Sequence, residues 1–311
     1  MAISPLEILP IAQSHLWLRV ACAAGKSCDR AFIAHQYATY PFRLSGNLPL
    51  APDDPHRVYA YVMNASPGMV SGDDLRVVVQ VGDRANLYLS DQSATKVHSK
   101  PLGGKSAQIS YAIEVGAEAY LEYVPEPVIL FTAADLSQQM TISVHPQARV
   151  VLSEIIVPGR LARGEFYTFE TFQSRLQVTT PENRLIFVDN FRLLGQSNPF
   201  RQSSFLTTWP IMANFVVISP KTDLNRLSQM LQLTDKNRNH LSGSLSEELE
   251  NLSLENLSNN LQVCNSRLPN CHGLLIRALA SRMSLLKGYQ RHLLNSVRQL
   301  NGHPLLPHIP K

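Results

Sequence analysis

Alternating hydrophobic and polar positions dominate the first two thirds of the chain. Three windows between residues 77 and 157 carry one pattern: VVVQVGDRANLYL, YAIEVGAEAYLEY and ISVHPQARVVL. Each has an alternating apolar strand, a short turn and a second alternating strand, the two-residue period that sends successive side chains to opposite faces. Aligned on Val81, Val115 and Val144, the copies are offset by 34 and 29 residues, and LQVTTPENRLIFV at 176–188 is a fourth. We read each copy as a β-hairpin. A lone hairpin cannot hide its apolar face from water, so repeated hairpins predict stacking. The expected fold is therefore mainly β: a layered or coiled β body of repeated hairpins over residues 1–220, with C-terminal α-helices packed on it. The unequal period puts the variation in the connections, where binding chemistry usually sits.

Beyond residue 220 the pattern changes. Residues 221–271 form an Asn/Ser/Leu-rich variable insertion, in which leucines 245, 249, 252 and 257 suit a weak amphipathic helix while the abundant Asn and Ser suit a loop equally well. Residues 272–311 are read as a basic helix and tail. Leu275, Leu279, Met283, Leu286, Tyr289, Leu293, Val297 and Leu300 step by three or four, predicting one apolar stripe on a helix of about eight turns. Gly302 and Pro304 end it.

Composition changes this picture little. The 311 residues are 44% hydrophobic and 17% charged, which suits a globular protein. The net charge of +4 is too mild to make the whole chain a nucleic-acid binder. Its distribution is more informative: no acidic residue follows Glu255, whereas Arg267, Arg277, Arg282, Lys287, Arg291, Arg298 and Lys311 do. The tail thus predicts a solvated basic face or a docking surface for an acidic partner. Cys22, Cys28, Cys264 and Cys271 lack zinc-knuckle spacing and are read as free thiols. No apolar run reaches the roughly 18 residues of a membrane span, and the N-terminus lacks a basic leader. The expected location is cytoplasmic.

Several segments could carry chemistry. KPLGGKSAQIS (100–110) contains GGKS, yet Ser99 stands where a phosphate-binding loop needs its first glycine, and a strand pattern follows where that loop launches a helix. AAGKS, ending at Ser27, has Val20 at the same place. Both read as turns. SPGMVSGDD (66–74) presents Asp73 and Asp74 together, as a plain turn or as a carboxylate pair for a divalent ion or for acid–base work. SDQSATKVHSK (90–100) offers Thr95 and Lys96 beside Ser, Asp and His. YVPEPVILF (123–131) holds Glu126 between two prolines that stiffen it, and PGRLARGEF (158–166) sets Arg160 and Glu165 between glycines.

These four segments, in this order, resemble the motifs of the urease accessory protein UreD family, also called UreH: a P-P-G-G-x-x-G-G-D turn, T-x-x-A-T-K-V, L-E-x-x-P-x-E-x-x-x-F and G-R-x-x-x-G-E. The resemblance spans residues 15–215 and 272–311. Ser66, Ser71 and Ser90 depart from it, Glu126 is shifted by one position, and the chain ends in PHIPK rather than P-R-I-W. The resemblance implies a non-catalytic scaffold that binds urease apoprotein and recruits UreF and the GTPase UreG within a hetero-oligomeric complex. It implies no cofactor of the chain's own, no nucleic acid, no membrane, and a transient passage of nickel. Asp73, Asp74 and Glu126 are then candidates for weak nickel contacts, and Thr95, Lys96, Arg160 and Glu165 for lining a polar interior path or shaping interfaces. Two alternatives stay open: a metal-dependent hydrolase using Asp73 and Asp74, and a basic-tail protein binding anionic partners.

Overall fold

The computed structural model describes residues 13–23, 30–51, 54–232 and 259–309. The strands run β1 (Leu16–Cys22), β2 (Ala31–Ala38), β3 (Phe42–Leu44), β4 (Arg57–Asn64), β5 (Asp74–Val81), β6 (Asn86–Asp91), β7 (Thr95–Val97), β8 (Ala107–Val115) and β9 (Tyr120–Val124). They continue as β10 (Val128–Leu130), β11 (Asp135–Val144), β12 (Arg149–Val157), β13 (Thr171–Thr179), β14 (Leu185–Leu194), β15 (Ile211–Ile218), β16 (Leu261–Arg267) and β17 (Gly273–Ala280). Helices α1 (Ser204–Thr208), α2 (Leu224–Met230) and α3 (Met283–Leu300) and a short 3-10 helix at Leu161–Arg163 join them. One sheet has the order β14-β13-β11-β8-β5-β1-β2. The other runs β16-β17-β15-β12-β9-β6-β4-β3, with β7 and β10 attached beside β12.

The first three sequence copies recur as expected, but they are not hairpins. β5 lies in the first sheet and β6 in the second, and the same holds for β8 with β9 and β11 with β12. Each copy is an arch that crosses between two sheets, and its strands bond to the equivalent strands of the next copy, all parallel. The register repeats the sequence offsets: Val81 pairs with Val115 and Val115 with Val144 in one sheet, Leu87 with Leu121 and Leu121 with Val150 in the other. Alternation alone could not separate the two readings, because hairpin and arch share a two-residue period; they differ in where the backbone hydrogen bonds go. The fourth copy is a true hairpin, β13 against β14, and it closes the first sheet with an antiparallel edge.

Two apolar cores follow from this layering. Val77, Val79, Leu87, Leu89, Ile113, Leu121, Ile142 and Val150 meet between the sheets. On the outer face of the second sheet, Tyr59, Tyr88, Tyr120, Phe215 and Ile276 pack against Leu285, Leu286, Tyr289, Leu293 and Val297 of α3. The C-terminal helix thus packs on the β body as expected, but it has 18 residues and starts at Met283. Residues 273–280 are strand β17, antiparallel to β15. Leu275 and Leu279 lie four apart, a step that fits a helical stripe and also keeps both on one face of a strand. The face that β17 buries most deeply is the alternate one, Leu274, Ile276, Ala278 and Ala280.

Of the stretch read as an insertion at 221–271, residues 233–258 lie outside the described residues, and the rest holds α2 and β16, which pairs with β17. AAGKS and Cys28 also fall largely or wholly outside them. Cys264 and Cys271 are free, whereas Cys22, at the end of β1, is disulfide-bonded, which corrects its reading as a free thiol.

Candidate functional site

The arches make the two ends of the body unequal. Within the three arches, connections from the first sheet to the second are tight turns at 82–85, 116–119 and 145–148, whereas the connections returning to the first sheet are long. All four sequence segments are these return connections: 65–73, 92–106, 125–134 and 158–170. They stack on one another. Met69 bridges Val97, β7 runs parallel to β10, and β10 runs parallel to the end of β12. Gly68, at φ +144°, lies where any Cβ would strike the Lys96 carbonyl oxygen, and Gly159, at φ +138°, meets the Glu165 carbonyl in the same way. Glycine is required at both, because a side chain would push two layers apart at Gly68 and open its own loop at Gly159.

Within this end, GGKS is a turn. Gly104 N–H donates to the Pro101 carbonyl at 2.8 Å and β8 starts at Ala107. Lys100 is bound to Asp135 and Glu170 at 2.6 and 2.8 Å. Asp73 and Asp74 do not act together: Asp73 Oδ2 accepts from Val70 N–H at 2.8 Å and closes its own turn, while exposed Asp74 pairs with Arg76 at 3.1 Å. The hydrolase reading loses its carboxylate pair. His98 bonds the Pro67 carbonyl at 3.1 Å and Ser99 Oγ donates to the Thr132 carbonyl at 2.6 Å, so these too are loop fasteners.

Arg160 and Glu165 find each other across their loop. Arg160 Nε donates to Glu165 Oε2 at 2.8 Å, Nη2 donates to Oε1, and the guanidinium stacks over Phe131 at 4.4 Å. Arg160 holds the Glu165 carboxyl down at about 2. Because the folded value is depressed, this fastening is fully present above the ordinary carboxyl range near 4.5 and is lost as pH falls toward 2. A carboxyl-detected NMR titration should therefore find Glu165 still ionised at pH 3.5, and Arg160→Ala should return its midpoint to the normal range.

The chemistry sequence reasoning missed lies deeper. Between the sheets, below the stacked loops, is a cavity of about 70 Å³, with a second of about 30 Å³ sharing Met69, Asp91, Thr95, Ile109, Tyr111 and Tyr123 in its walls. The larger has room for several waters. Four carboxylates line it: Asp91, Glu126, Glu154 and Asp189. Of the candidates named from sequence, Glu126 and Thr95 reach this cavity; Asp73, Asp74, Lys96, Arg160 and Glu165 are not among its lining residues.

Glu154, on β12, is half-buried, and burial pushes its pKa up. Its Oε1 accepts from Gln138 Nε2 and Ser174 Oγ, both at 2.7 Å, and its Oε2 from Asn214 Nδ2 at 3.0 Å. A lone carboxylate inside the apolar run VVLSEIIV was the available signal, since an acid in a buried strand is costly unless it is used. Tyr111 and Tyr123 line the same cavity, their rings tilted against each other at 5.8 Å between centres. Glu126 is paired at 2.8 Å with Lys287 of α3, whose ammonium burial pushes down to about 8 against the opposing pull of Asp91. Asp189 is paired at 2.8 Å with Arg277 of β17.

Lys287, Arg291 and Arg298, the cations along α3, are thus each bound within the fold. Arg298 of α3 donates to Glu122 from Nε at 2.8 Å and from Nη2 at 2.5 Å, with both side chains fully buried. Arg291 donates to the Leu306 and Pro307 carbonyls. This corrects the expectation of a solvated or docking basic face along the tail helix, while Arg267 and Arg282 beside it stay exposed. Buried positions almost encircle α3, so cations that the stripe placed outside must find partners within. Among the described residues, no helix is long and apolar enough to cross a membrane, and no group of three His, Cys, Asp or Glu side chains forms a ready metal site.

Residues 12–311 match the family model described as UreD urease accessory protein. A urease accessory protein UreD from Trichodesmium erythraeum is 38% identical over 97% of this chain and 100% of its own length. One from Haloarcula marismortui is 30% identical over 83% of this chain and 78% of its own, and a urease accessory protein UreH from Helicobacter pylori is 28% identical over 71% and 80%.

Proposed function

The chain belongs to the UreD family of urease accessory proteins, and from that premise we propose that it is a non-catalytic scaffold in urease maturation. In this reading it binds the urease apoprotein, recruits UreF and the GTPase UreG, and lets nickel pass through its interior on the way to the urease active site. The family match over nearly the whole chain carries the scaffold part. Two features support the rest. The stacked loops form one continuous end on which Val70 and Leu102 are left exposed, a fitting contact surface for a protein partner. Below them lies a cavity walled by carboxylates, hard oxygen donors that bind a divalent ion without the tight grip of a thiolate or imidazole set.

Nickel is cargo here, and a passage must not hold it. Glu126, Asp91, Glu154 and Asp189 are spread along the cavity instead of converging, which favours hand-over between weak contacts. Co-expression with urease structural subunits, with and without a UreF-type partner, tests the scaffold: the chain is expected to co-elute with them on a sizing column. A soluble, monodisperse chain that ignores every urease component would sink the reading.

A further inference from the structure

Glu126 and Asp189, on the cavity wall, have cationic partners, and both partners come from the C-terminal segment. Lys287, in the second turn of α3, places Nζ 2.8 Å from Glu126 Oε1. Arg277, on β17, places Nη2 2.8 Å from Asp189 Oδ1. Glu126 follows β9 in the return connections, whereas Asp189 sits midway along β14, the edge strand of the other sheet. The two pairs thus lie at different places on the cavity wall, and each ties the body to the segment that wraps over it.

We propose that Lys287 and Arg277 are tethered counter-ions that occupy the cavity's carboxylates between passages and yield to a divalent cation, so that the metal is exchanged rather than retained. The inference rests on the passage reading above. Three observations carry it. Each cation sits on a carboxylate that a passing dication would contact, so ammonium or guanidinium and metal compete for one site. Each also has somewhere to go: Lys287 Nζ is already within 3.4 Å of Gln290 Oε1, and Arg277 is 40% exposed and lies 5.9 Å from the Phe191 ring centre. Finally, the competitor is covalently attached, so it returns as soon as the metal leaves, at an effective concentration no free cation matches.

The contrast with Glu122 shows what a permanent pair looks like. There two guanidiniums, both fully buried, clamp one carboxylate, and it lies on the helix side of β9, outside the cavity lining. Lys287 and Arg277 are instead partly exposed, at 27% and 40%, and each pairs with a cavity carboxylate that is itself partly exposed. Lysine also has a flexible four-carbon stem that can swing its charge aside.

The test is calorimetric titration of the purified full-length chain with Ni²⁺ alone. Lys287→Met is expected to tighten Ni²⁺ binding by about tenfold or more, the scale on which a change around a metal-binding carboxylate acts. Lys287→Arg should stay near wild type, and Arg277→Met should tighten binding independently. Adding Glu126→Gln to Lys287→Met should cancel the gain, and this double variant leaves no unpaired carboxylate should the single variant fold poorly. Unchanged or weaker Ni²⁺ affinity in Lys287→Met, or a gain that survives Glu126→Gln, overturns the proposal. Co-elution with urease subunits is read separately, so a scaffold that still assembles while its Ni²⁺ affinity ignores Lys287 would defeat this inference alone.

Discussion

Glu122→Ala is expected to destabilise the whole chain by about 3–5 kcal/mol, the usual cost of removing one partner from a buried ion pair. The loss should appear as a fall in melting temperature on the order of 10 °C. Glu122 is fully buried on β9 and joins three elements: Arg298 from α3 in a two-pronged contact, and Arg57 from β4 at 3.1 Å, itself held by Asp54 at 2.8 Å. Burial alone would push this carboxyl up, but the two guanidiniums override it and hold it down at about 2. Alanine would strand Arg298 without its counter-charge and leave Arg57 with Asp54 alone. The sign of the pH dependence follows from the depressed value. The stabilisation is complete above the usual carboxyl range near 4.5 and is lost as pH falls toward 2. Chemical denaturation across that window should show a steep acid limb in the wild type and a shallower one in Glu122→Ala. Replacing Asp54, Arg57, Glu122 and Arg298 together by Asn, Met, Leu and Met should recover most of the lost stability, because no buried charge is then left without a counter-charge. If the single variant melts like the wild type, the network does not hold the helix to the sheet.

That network was half visible in the sequence. The L-E pair at 121–122 belongs to one of the four recognised segments, but nothing in the local pattern says that its glutamate faces a helix 176 residues later. Arg298 read as part of a solvated basic face, because a stripe analysis assigns one buried side to a helix, and α3 is covered on nearly all sides. The β body was legible down to its register: the offsets between Val81, Val115 and Val144 are the pairings of the parallel strands. What the same valines could not settle was whether neighbouring strands bond within a copy or between copies. β17 was lost to the same ambiguity, since Leu275 and Leu279 satisfy both periods. The site divided along similar lines. Glu126 was found because two prolines frame it, and Thr95 because it belongs to a recognised segment. Asp73 and Asp74 drew attention by adjacency, yet neighbouring residues seldom point to one spot, and here one closes a turn while the other meets solvent. Glu154, Asp91 and Asp189 lie on three separate strands and become neighbours only through the layering of the sheets.

Glu154 then gives the second large expected effect, on function instead of stability. Glu154→Gln should leave the chain at least as stable as the wild type at neutral pH, keep its co-elution with urease subunits, and lower urease activation by about tenfold or more. The stability half follows from the raised pKa: the fold disfavours the charged carboxylate, and that penalty is present at high pH and relieved by protonation. Glutamine removes it permanently. Its amide oxygen can keep the bonds from Gln138 and Ser174, and its amide nitrogen can donate to Asn214 once that side chain turns its oxygen inward. Shape and hydrogen bonds survive while the charge that attracts a dication is gone. A residue kept at a cost to the fold is expected where function needs it, so stability and activation should move in opposite directions. Activation that stays normal in Glu154→Gln would mean nickel does not use the interior cavity. Activation that falls only together with stability and co-elution would mean Glu154 serves the fold and not the cargo.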